Sequence, residues 1–369
     1  MIKVALIGPH GIAREIMANP PKGVKYVSIT PKKHFITKVI TSPFSYKYYY
    51  DENVDLIESP IFPIITKQPW IYTPADAHTF MSFELFHCPV PRAIRSIIVK
   101  RIFEKKNFIK LIFKSEAGRK TLYEYPKLVC EKIMNKTIVV YPAVRKVKDT
   151  LIRFNKDKVN ILFSGPFIRK GGIHVVEAFE ELQREFKNIK LRICSREDFM
   201  TENQQLAQKY KEKIERNKDI IFGWVNREQL LNEILPDTDI FVCPTYRDSY
   251  GYAIEEAMAF GIPVIATDYF AIPEIVEHNR NGFLIKIRNE PFIQSLKGYM
   301  INHIPRSFHE YMTREVYKYL RLLISDYSLR KKMGLEGLKI AREKFSFEKR
   351  NSIMLNIYHE ALQKRQEGK

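Results

Sequence analysis

Two acidic residues in the second half of the chain have a spacing that suits a sugar ligand. They lie in PTYRDSYGYAIEEAMAFGIPVIATD, residues 244–268, where Asp248 precedes a predicted helix and Glu256 lies inside its first turns. Carboxylates so placed can approach one ligand from different directions and accept hydrogen bonds from its hydroxyls. Gly251 opens the helix, and amides at such a helix start bind diphosphates. The segment predicts a nucleotide-sugar site; the alternative is that Glu256 only caps or ion-pairs its helix.

A second segment places cations beside a glycine turn. The run FSGPFIRKGGIHVVEAF, residues 163–179, predicts a strand, a turn at Gly165 and a helix, with Arg169 and Lys170 just before Gly171. Cations at this place can contact a β-phosphate and stabilise a leaving nucleotide, as a metal ion does in other enzymes. The alternative is that both side chains belong to a solvated turn.

The elements around these segments predict a doubly wound sheet. β-rich runs alternate with helical patterns, and they lie at 160–165, 190–195, 219–224, 239–245 and 263–268. Strands that alternate with helices form right-handed βαβ units and a parallel sheet, whose ligands bind beyond the carboxyl ends of the strands.

The first half is less regular. It reads as strands at 3–7, 25–29, 70–73, 108–113 and 137–144, with a helical stretch near 93–106 and a helix that begins at Ser115. A charged run over 145–158 resembles a linker, so we predict domains at 1–150 and 151–345. Residues 346–369 then form a last helix that is expected to pack back across the domain junction.

Composition limits the class of protein. The 369 residues, 45% of them hydrophobic, suffice for two domains with their own cores. The N-terminal apolar run is too short for a secretory signal, and no run approaches the about 18 to 20 apolar residues of a membrane span. Four scattered cysteines fit a reducing compartment better than a zinc site or disulfides. We expect a cytoplasmic protein, soluble or peripheral on the membrane.

The stretch from Asp239 to Asp268 resembles glycosyltransferase family 4, whose motif has two acidic residues separated by seven others and then Ala-Met-Ala-x-Gly-x-Pro-Val. The resemblance implies an α/β protein of the GT-B fold, with two Rossmann-like doubly wound parallel-sheet domains facing a cleft. It also implies a retaining transfer in which the leaving diphosphate can deprotonate the acceptor. The family does not require a divalent metal, and no metal-ligand spacing is found here.

The resemblance also implies site residues. The implied donor contacts are Gly11, Gly165, Arg169, Lys170, Gly223, Asp248, Tyr250, Gly251, Glu256 and Glu274, and the implied catalytic candidates are Lys170, Asp248, Asp76 and His78. Three departures affect this set. Asp248 replaces the usual glutamate, Pro166 stands at the usual arginine position, which Arg169 is a candidate to fill, and Phe270 with Ala271 replaces a glycine pair.

Several of these residues have ordinary structural alternatives. Gly11, in the turn Gly8-Pro9-His10-Gly11, is either a donor-facing residue or an ordinary turn glycine. Glu274 is either a donor contact or a carboxylate at a helix start. Asp76 and His78 follow the strand at 70–73, where the family brings a polar residue toward the reacting sugar; the alternative for a lone histidine is a structural role.

The charge is uneven, since residues 1–150 hold 25 of the 61 lysines and arginines but only 12 of the 42 acidic residues. Residues 92–106 form a predicted basic helix whose isoleucines face either the core or an anionic membrane. The expected partners are a nucleotide-sugar donor and a sugar, lipid-linked or polysaccharide acceptor, with no cofactor. Two rival functions are a GT-B protein that binds nucleotides without transfer, and a basic nucleic-acid-binding protein, which is the less favoured.

Overall fold

The computed structural model describes residues 1–8, 11–41, 46–60, 63–199, 201–298 and 300–367. Pro9 and His10, from the glycine-containing turn, lie outside this described part. The chain forms two compact units. The first consists of Met1–Val144 with Lys344–Lys369, and the second of Arg145–Glu343, so the chain enters the second unit shortly before the predicted boundary at 150.

The first unit is built on a parallel sheet with short elements around it. Its strands are β1 (Ile2–Leu6), β2 (Val24–Val27), β3 (Ile40–Thr41), β4 (Lys47–Tyr48), β5 (Leu56–Ser59), β6 (Ile64–Ile65), β7 (Trp70–Tyr72), β8 (Glu84–Leu85), β9 (Phe108–Phe113) and β10 (Thr137–Val139). Its helices are α1 (Gly11–Ala18), α2 (Ile36–Val39), α3 (Ala77–Met81), α4 (Arg92–Phe103), α5 (Glu116–Lys120) and α6 (Glu131–Met134), with 3₁₀ turns at Thr121–Glu124 and Pro126–Leu128.

The main sheet of this unit has the order β10-β9-β7-β5-β1-β2, and all of its pairs are parallel. Both of its faces are covered. Val4 and Leu6 of β1 pack into one buried cluster, whereas Ala5 and Ile7 pack into another. This period of two is what a strand buried on both faces produces. The unit is therefore a doubly wound layer structure, as predicted.

The second unit repeats this plan with longer helices. Its strands are β11 (Val159–Ser164), β12 (Ile189–Cys194), β13 (Ile220–Gly223), β14 (Ile240–Cys243), β15 (Val264–Thr267) and β16 (Gly282–Ile285). Its helices are α7 (Gly172–Glu185), α8 (Gln204–Arg216), α9 (Arg227–Gln229), α10 (Tyr252–Ala259), α11 (Pro291–Ser295), α12 (Arg306–Ser325) and α13 (Tyr327–Lys344), with 3₁₀ turns at Asp149–Leu151, Leu235–Asp237 and Ile272–Glu274 and a π turn at Leu230–Ile234.

Its sheet has the order β13-β12-β11-β14-β15-β16, and every pair is parallel. From β11 the chain adds β12 and then β13 toward one edge of the sheet, and from β14 it adds β15 and then β16 toward the other edge. The point between β11 and β14 is therefore the topological switch point, where ligands of doubly wound sheets bind.

The last helix, α14 (Phe347–Glu367), belongs to the first unit. It packs against the central strands through a buried polar cluster. The side chains of Arg350 and Glu58 pair at 3.2 Å, and the hydroxyls of Tyr26 and Tyr358 hydrogen-bond at 2.8 Å. Glu58 also accepts a hydrogen bond from Tyr358. Because a buried carboxylate needs such partners, these contacts determine where the helix lies on the sheet.

Candidate active site

The segments that follow β11 and β14 meet at the switch point of the second unit. Lys170 comes after β11, Asp248 comes after β14, and Nζ of Lys170 pairs with Oδ2 of Asp248. The two side chains are only 13% and 14% exposed. The pair therefore places one cation and one carboxylate together at the edge of the sheet where a phosphate and a hydroxyl could bind.

Both members of this pair are ionised at neutral pH. Burial lowers the pKa of Lys170, but the Asp248 carboxylate, with a smaller effect of Cys243, raises it above its usual value. Burial raises the pKa of Asp248, but Lys170 and the backbone amide of Tyr250, which donates to Oδ1 at 3.1 Å, lower it overall. The raised pKa of Lys170 and the lowered pKa of Asp248 have one cause, because each charge favours the ionised form of the other.

Two glycines give Lys170 its direction. Gly171 has a φ of +76°, and a Cβ there would lie 2.3 Å from the carbonyl oxygen of Pro244. Gly165 has a φ of +123°, and a Cβ there would lie 3.3 Å from Cγ of Lys170. The lysine stem therefore lies over Gly165, which only a glycine accommodates without strain.

Arg169 lies on the same turn. Its carbonyl oxygen accepts a hydrogen bond from the amide of Tyr246 at 3.0 Å, which ties the turn to the segment that carries Asp248. The pKa of Asp248 depends mainly on burial and on Lys170, and the charge of Arg169 lowers it further. Arg169 is thus close enough to supplement the cation at the switch point, where the sequence places Pro166 in the usual arginine position.

Helix α10 carries the second acidic residue. It begins after Gly251, whose φ of +106° is in the left-handed region that favours glycine. Glu256 is buried, and its Oε1 pairs with Arg227. Its neighbour Glu255 is also buried and accepts a hydrogen bond from the hydroxyl of Tyr250. The carboxylate of Glu256 is therefore held by a cation from outside its own helix.

Arg227 is a residue that the sequence interpretation missed. It is the first residue of α9, which Asn226 caps together with Gln229 in a reciprocal capping box. Its guanidinium also lies over the ring of Tyr252, 5.7 Å from the centroid. The available signal in the sequence was that Arg227 is a basic residue shortly after Gly223, which ends β13. A Cβ added at Gly223 would meet nothing within 4 Å.

Glu274 lies in the 3₁₀ turn Ile272–Glu274, and its amide donates to the carbonyl oxygen of Ala271. Just before this turn, Phe270 has a φ of +48°, whereas Ala271 has a φ of −82°. The first of these conformations is left-handed, which costs a residue with a Cβ about 1 to 2 kcal/mol. The glycine pair that the resemblance leads one to expect would therefore be free of strain at the first position.

We expect Phe270→Gly to be more stable than Phe270→Ala by about 1 kcal/mol, because both variants lack the ring but only glycine relieves the left-handed strain. Ala271→Gly is the matched control, and it should be less stable than the wild type by about 0.5 to 1 kcal/mol. Urea unfolding of the three variants measures both differences. If Phe270→Ala equals or exceeds Phe270→Gly in stability, no strain is stored at this position.

The remaining predicted residues lie in the first unit. Helix α1 begins at Gly11. Asp76 caps α3, and its Oδ1 accepts hydrogen bonds from the amide and hydroxyl of Thr79 at 2.9 and 3.0 Å. Nδ1 of His78 lies 2.8 Å from the hydroxyl of Tyr125. Asp76 thus has a structural role in capping, which leaves its Oδ2 oxygen without a hydrogen bond to the described residues.

Neither a metal-binding cluster nor a membrane-spanning helix is present in the described part of the chain. No group of three or more histidine, cysteine or acidic side chains has a geometry that could hold a metal ion. Likewise, no helix in the described ranges combines the length and the hydropathy that a bilayer crossing needs.

The chain is similar in sequence to known proteins, and one of these similarities covers the segment that carries this site. Residues 145–302 match the family model of glycosyl transferases group 1. An uncharacterized 41.2 kDa protein in the cps region of Klebsiella pneumoniae is 28% identical over 177 residues, 45% of this chain and 46% of that protein. The capsular polysaccharide biosynthesis glycosyltransferase CapM of Staphylococcus aureus is 24% identical over 232 residues, 61% of this chain and 52% of CapM. Each match thus spans about half of the relative's length.

Solved structures show the same fold. The crystal structure of HepE from Anabaena in complex with UDP and glucose has a TM-score of 0.61 at 13% identity, and the match covers 96% of this chain and 98% of HepE. Its likeness and the two parallel-sheet units define the class, a protein of the GT-B fold, and confirm that prediction. Within that class, residues 145–302 are similar to glycosyl transferases group 1.

Proposed function

We propose that the protein is a retaining glycosyltransferase that moves a sugar from a nucleotide-diphosphate sugar to a hydroxyl acceptor without a metal ion. The observation that carries this proposal is the ion pair between Lys170 and Asp248 at the switch point of the second unit. The family match to glycosyl transferases group 1 covers the same segment. The GT-B fold adds support, because the HepE structure, which shares this fold, is a complex with UDP and glucose.

In this proposal, different residues of the second unit bind different parts of the donor. Lys170 and the amides that start α10 at Gly251 bind the diphosphate, where negative charge grows as the glycosidic bond breaks. Asp248 accepts hydrogen bonds from the sugar hydroxyls. Glu256 accepts hydrogen bonds from the ribose, and Arg227 orients this carboxylate. Because protein cations oppose the growing charge, the reaction needs no divalent ion.

Retention follows if the leaving diphosphate takes the proton from the acceptor hydroxyl on the face that it leaves. The proton then ends on the phosphate oxygen, the new glycosidic bond forms from the acceptor oxygen, and no pair of carboxylates like that of a glycosidase is required. The proposed acceptor is a lipid-linked or polysaccharide sugar. The name of CapM, a capsular polysaccharide biosynthesis glycosyltransferase, supports this acceptor class by similarity.

The test is transfer from a panel of UDP, GDP and ADP sugars, measured as nucleotide release with and without EDTA. The proposal expects turnover with one donor class and no loss of turnover in EDTA. Specific donor binding without turnover with any acceptor would instead identify a nucleotide-binding GT-B protein. Loss of turnover in EDTA that magnesium or manganese restores would contradict metal independence.

We also propose that the enzyme is cytoplasmic and peripheral on an anionic membrane, through residues 92–106. Helix α4 buries Val99 and Phe103 in the first unit but leaves Ile94 and Ile97 exposed at 46% and 39%. The predicted apolar face is therefore divided between the core and the surface. Exposed isoleucines beside cations suit the headgroup region of an anionic bilayer, where each cation contributes about 1 kcal/mol.

We expect the wild type to float with anionic vesicles at low salt. A variant with Arg101, Lys105 and Lys106 changed to glutamate should stay unbound, because these exposed cations supply the attraction. Arg95 is left unchanged because it donates a hydrogen bond to the carbonyl oxygen of Met81 at 2.7 Å. Vesicle flotation measures binding.

The control reverses three exposed cations of the second unit, Lys211, Arg216 and Lys218, which makes the same change in net charge. This control should still float. Equal loss of binding in both variants would mean that only net charge matters and that α4 is not the membrane surface. A wild type that ignores vesicles but binds RNA with steep salt dependence would support the nucleic-acid function instead.

A further inference from the structure

Lys136 and Lys114 of the first unit both have a lowered pKa, but of these two only Lys136 has an evident structural role. Burial lowers the pKa of Lys136 to about 8, and its ammonium donates to the carbonyl oxygens of Phe103 and Lys105, both at 2.9 Å. This lysine joins the segments at the amino ends of β9 and β10. Burial also lowers the pKa of Lys114 to about 8, and its surroundings are different.

Lys114 lies at the opposite edge of the sheet. It directly follows β9, and its Nζ reaches the carbonyl oxygen of Pro60, just after β5, at 3.4 Å. Because β7 lies between β9 and β5, the lysine side chain crosses the carboxyl end of β7. β1 pairs with β5 on one side and with β2 on the other. The switch point of this sheet is therefore between β1 and β5, and the ammonium, which lies at the end of β5, is beside it.

The charged groups that face Lys114 already have other partners. They are Asp76, Glu58 and Arg350. Glu58 pairs with Arg350 and accepts from Tyr358, and the Oδ1 atom of Asp76 caps α3. Within the described residues, no carboxylate lies at ion-pairing distance from Nζ of Lys114, and its long hydrogen bond to Pro60 is a weak one. Burial of this ammonium therefore costs free energy that no ion pair with the described residues offsets.

This arrangement matches what an anionic ligand requires. The carboxyl edge of a doubly wound sheet is where ligands bind, and Lys114 and Asp76 are both partly exposed there. An ammonium with few protein partners can form short, charge-assisted hydrogen bonds to an oxyanion. The Oδ2 oxygen of Asp76, which has no hydrogen bond to the described part of the chain, can at the same time accept a hydrogen bond from a hydroxyl.

We propose that Lys114 is the anion-binding residue of an acceptor subsite in the first unit, where it binds a phosphate or carboxylate of the acceptor and Asp76 binds an acceptor hydroxyl. The assignment to the acceptor rests on the proposed function. The acceptor is then an anionic sugar derivative, and the enzyme distinguishes it from a neutral sugar by this contact.

The first test measures anion binding without catalysis. Lysine side chains labelled with a heavy isotope are followed by NMR during titrations with inorganic phosphate and with acetate, and sodium chloride at matched ionic strength is the control. We expect the ε-methylene signal of Lys114 to shift in a saturable way and that of Lys136 to stay in place. The stronger of the two anions identifies the acceptor oxyanion. A Lys114 signal that moves no further than it does in chloride overturns the proposal.

Matched variants separate binding from folding. Lys114→Met should bind the preferred anion at least about tenfold more weakly, since a hydrogen bond to a charged group is lost, and it should retain the wild-type melting temperature. Lys136→Met should melt earlier, because two carbonyl oxygens lose their donor, but should bind the anion normally. Normal anion binding by folded Lys114→Met would also overturn the proposal.

The proposed function can fail separately. If the wild type turns over, Lys114→Met should raise the KM for the acceptor and leave donor affinity unchanged. If no donor is turned over but the Lys114 signal still shifts with phosphate or acetate, the anion site stands and the transferase assignment falls. Turnover without any anion response at Lys114 supports the transferase and refutes this subsite.

Discussion

Glu256→Gln should bind the nucleotide-sugar donor about 10- to 100-fold more weakly than the wild type. The proposed contact is a hydrogen bond from the ribose to a carboxylate, and such bonds to charged groups are worth about 1.5 to 3 kcal/mol. Glutamine retains the size of the side chain but removes the charge that Arg227 pairs with. Isothermal titration with the donor that the wild type prefers measures the difference.

The buried pair with Arg227 also affects stability, so the fold must be measured beside the affinity. The matched control is Glu277→Gln, which removes a carboxylate paired with Arg280 at 2.8 Å on the surface of the same unit, where Glu277 is 52% exposed. This control should bind the donor normally. A Glu256→Gln protein with a native melting curve and wild-type donor affinity would show that the carboxylate is structural only.

Lys170→Ala should lower kcat by about 100- to 1000-fold and weaken donor binding much less, because the lysine opposes charge that develops mainly in the transition state.

In the ion pair between Lys170 and Asp248, the pKa of the lysine is raised and the pKa of the aspartate is lowered. The stabilisation from this pair is therefore lost only as pH falls through the lowered pKa of Asp248 or rises through the raised pKa of Lys170. Between about pH 5 and pH 9, this pair should give the rate no titration step.

Removing the lysine alone leaves Asp248 buried without its cation, which can destabilise the unit. The double variant Lys170→Met with Asp248→Asn avoids this effect and should be folded and equally slow. Lys187→Ala, which removes an exposed lysine of the same unit, is the activity control and should turn over normally. Single-turnover kinetics with saturating donor gives the comparison. A folded double variant with a wild-type rate would exclude the proposed role of Lys170.

Local sequence patterns were enough to predict the second unit. The β-rich run at 190–195 corresponds to β12. The turn from Gly165 to Gly171, which contains Lys170, leads directly into α7. These predictions succeeded because buried parallel strands are short apolar runs and because glycine at a positive φ marks turns. The first unit was harder to predict. β5 was overlooked because Glu58 and Ser59 make half of this short strand polar, although all of it is buried.

The sequence by itself thus determined the fold class, the two acidic residues of the motif and the position of Lys170, since each depends on residues that are close together in the chain. Only the tertiary structure decided which charges meet. The partners of Glu256 and Glu58 are Arg227 and Arg350, which come from distant elements. The open position of Lys114 was equally hidden, because it depends on the order of β9, β7 and β5 in the sheet. Long-range pairing is set by packing and by the need to satisfy buried charge, and neither leaves a periodic signal in the sequence.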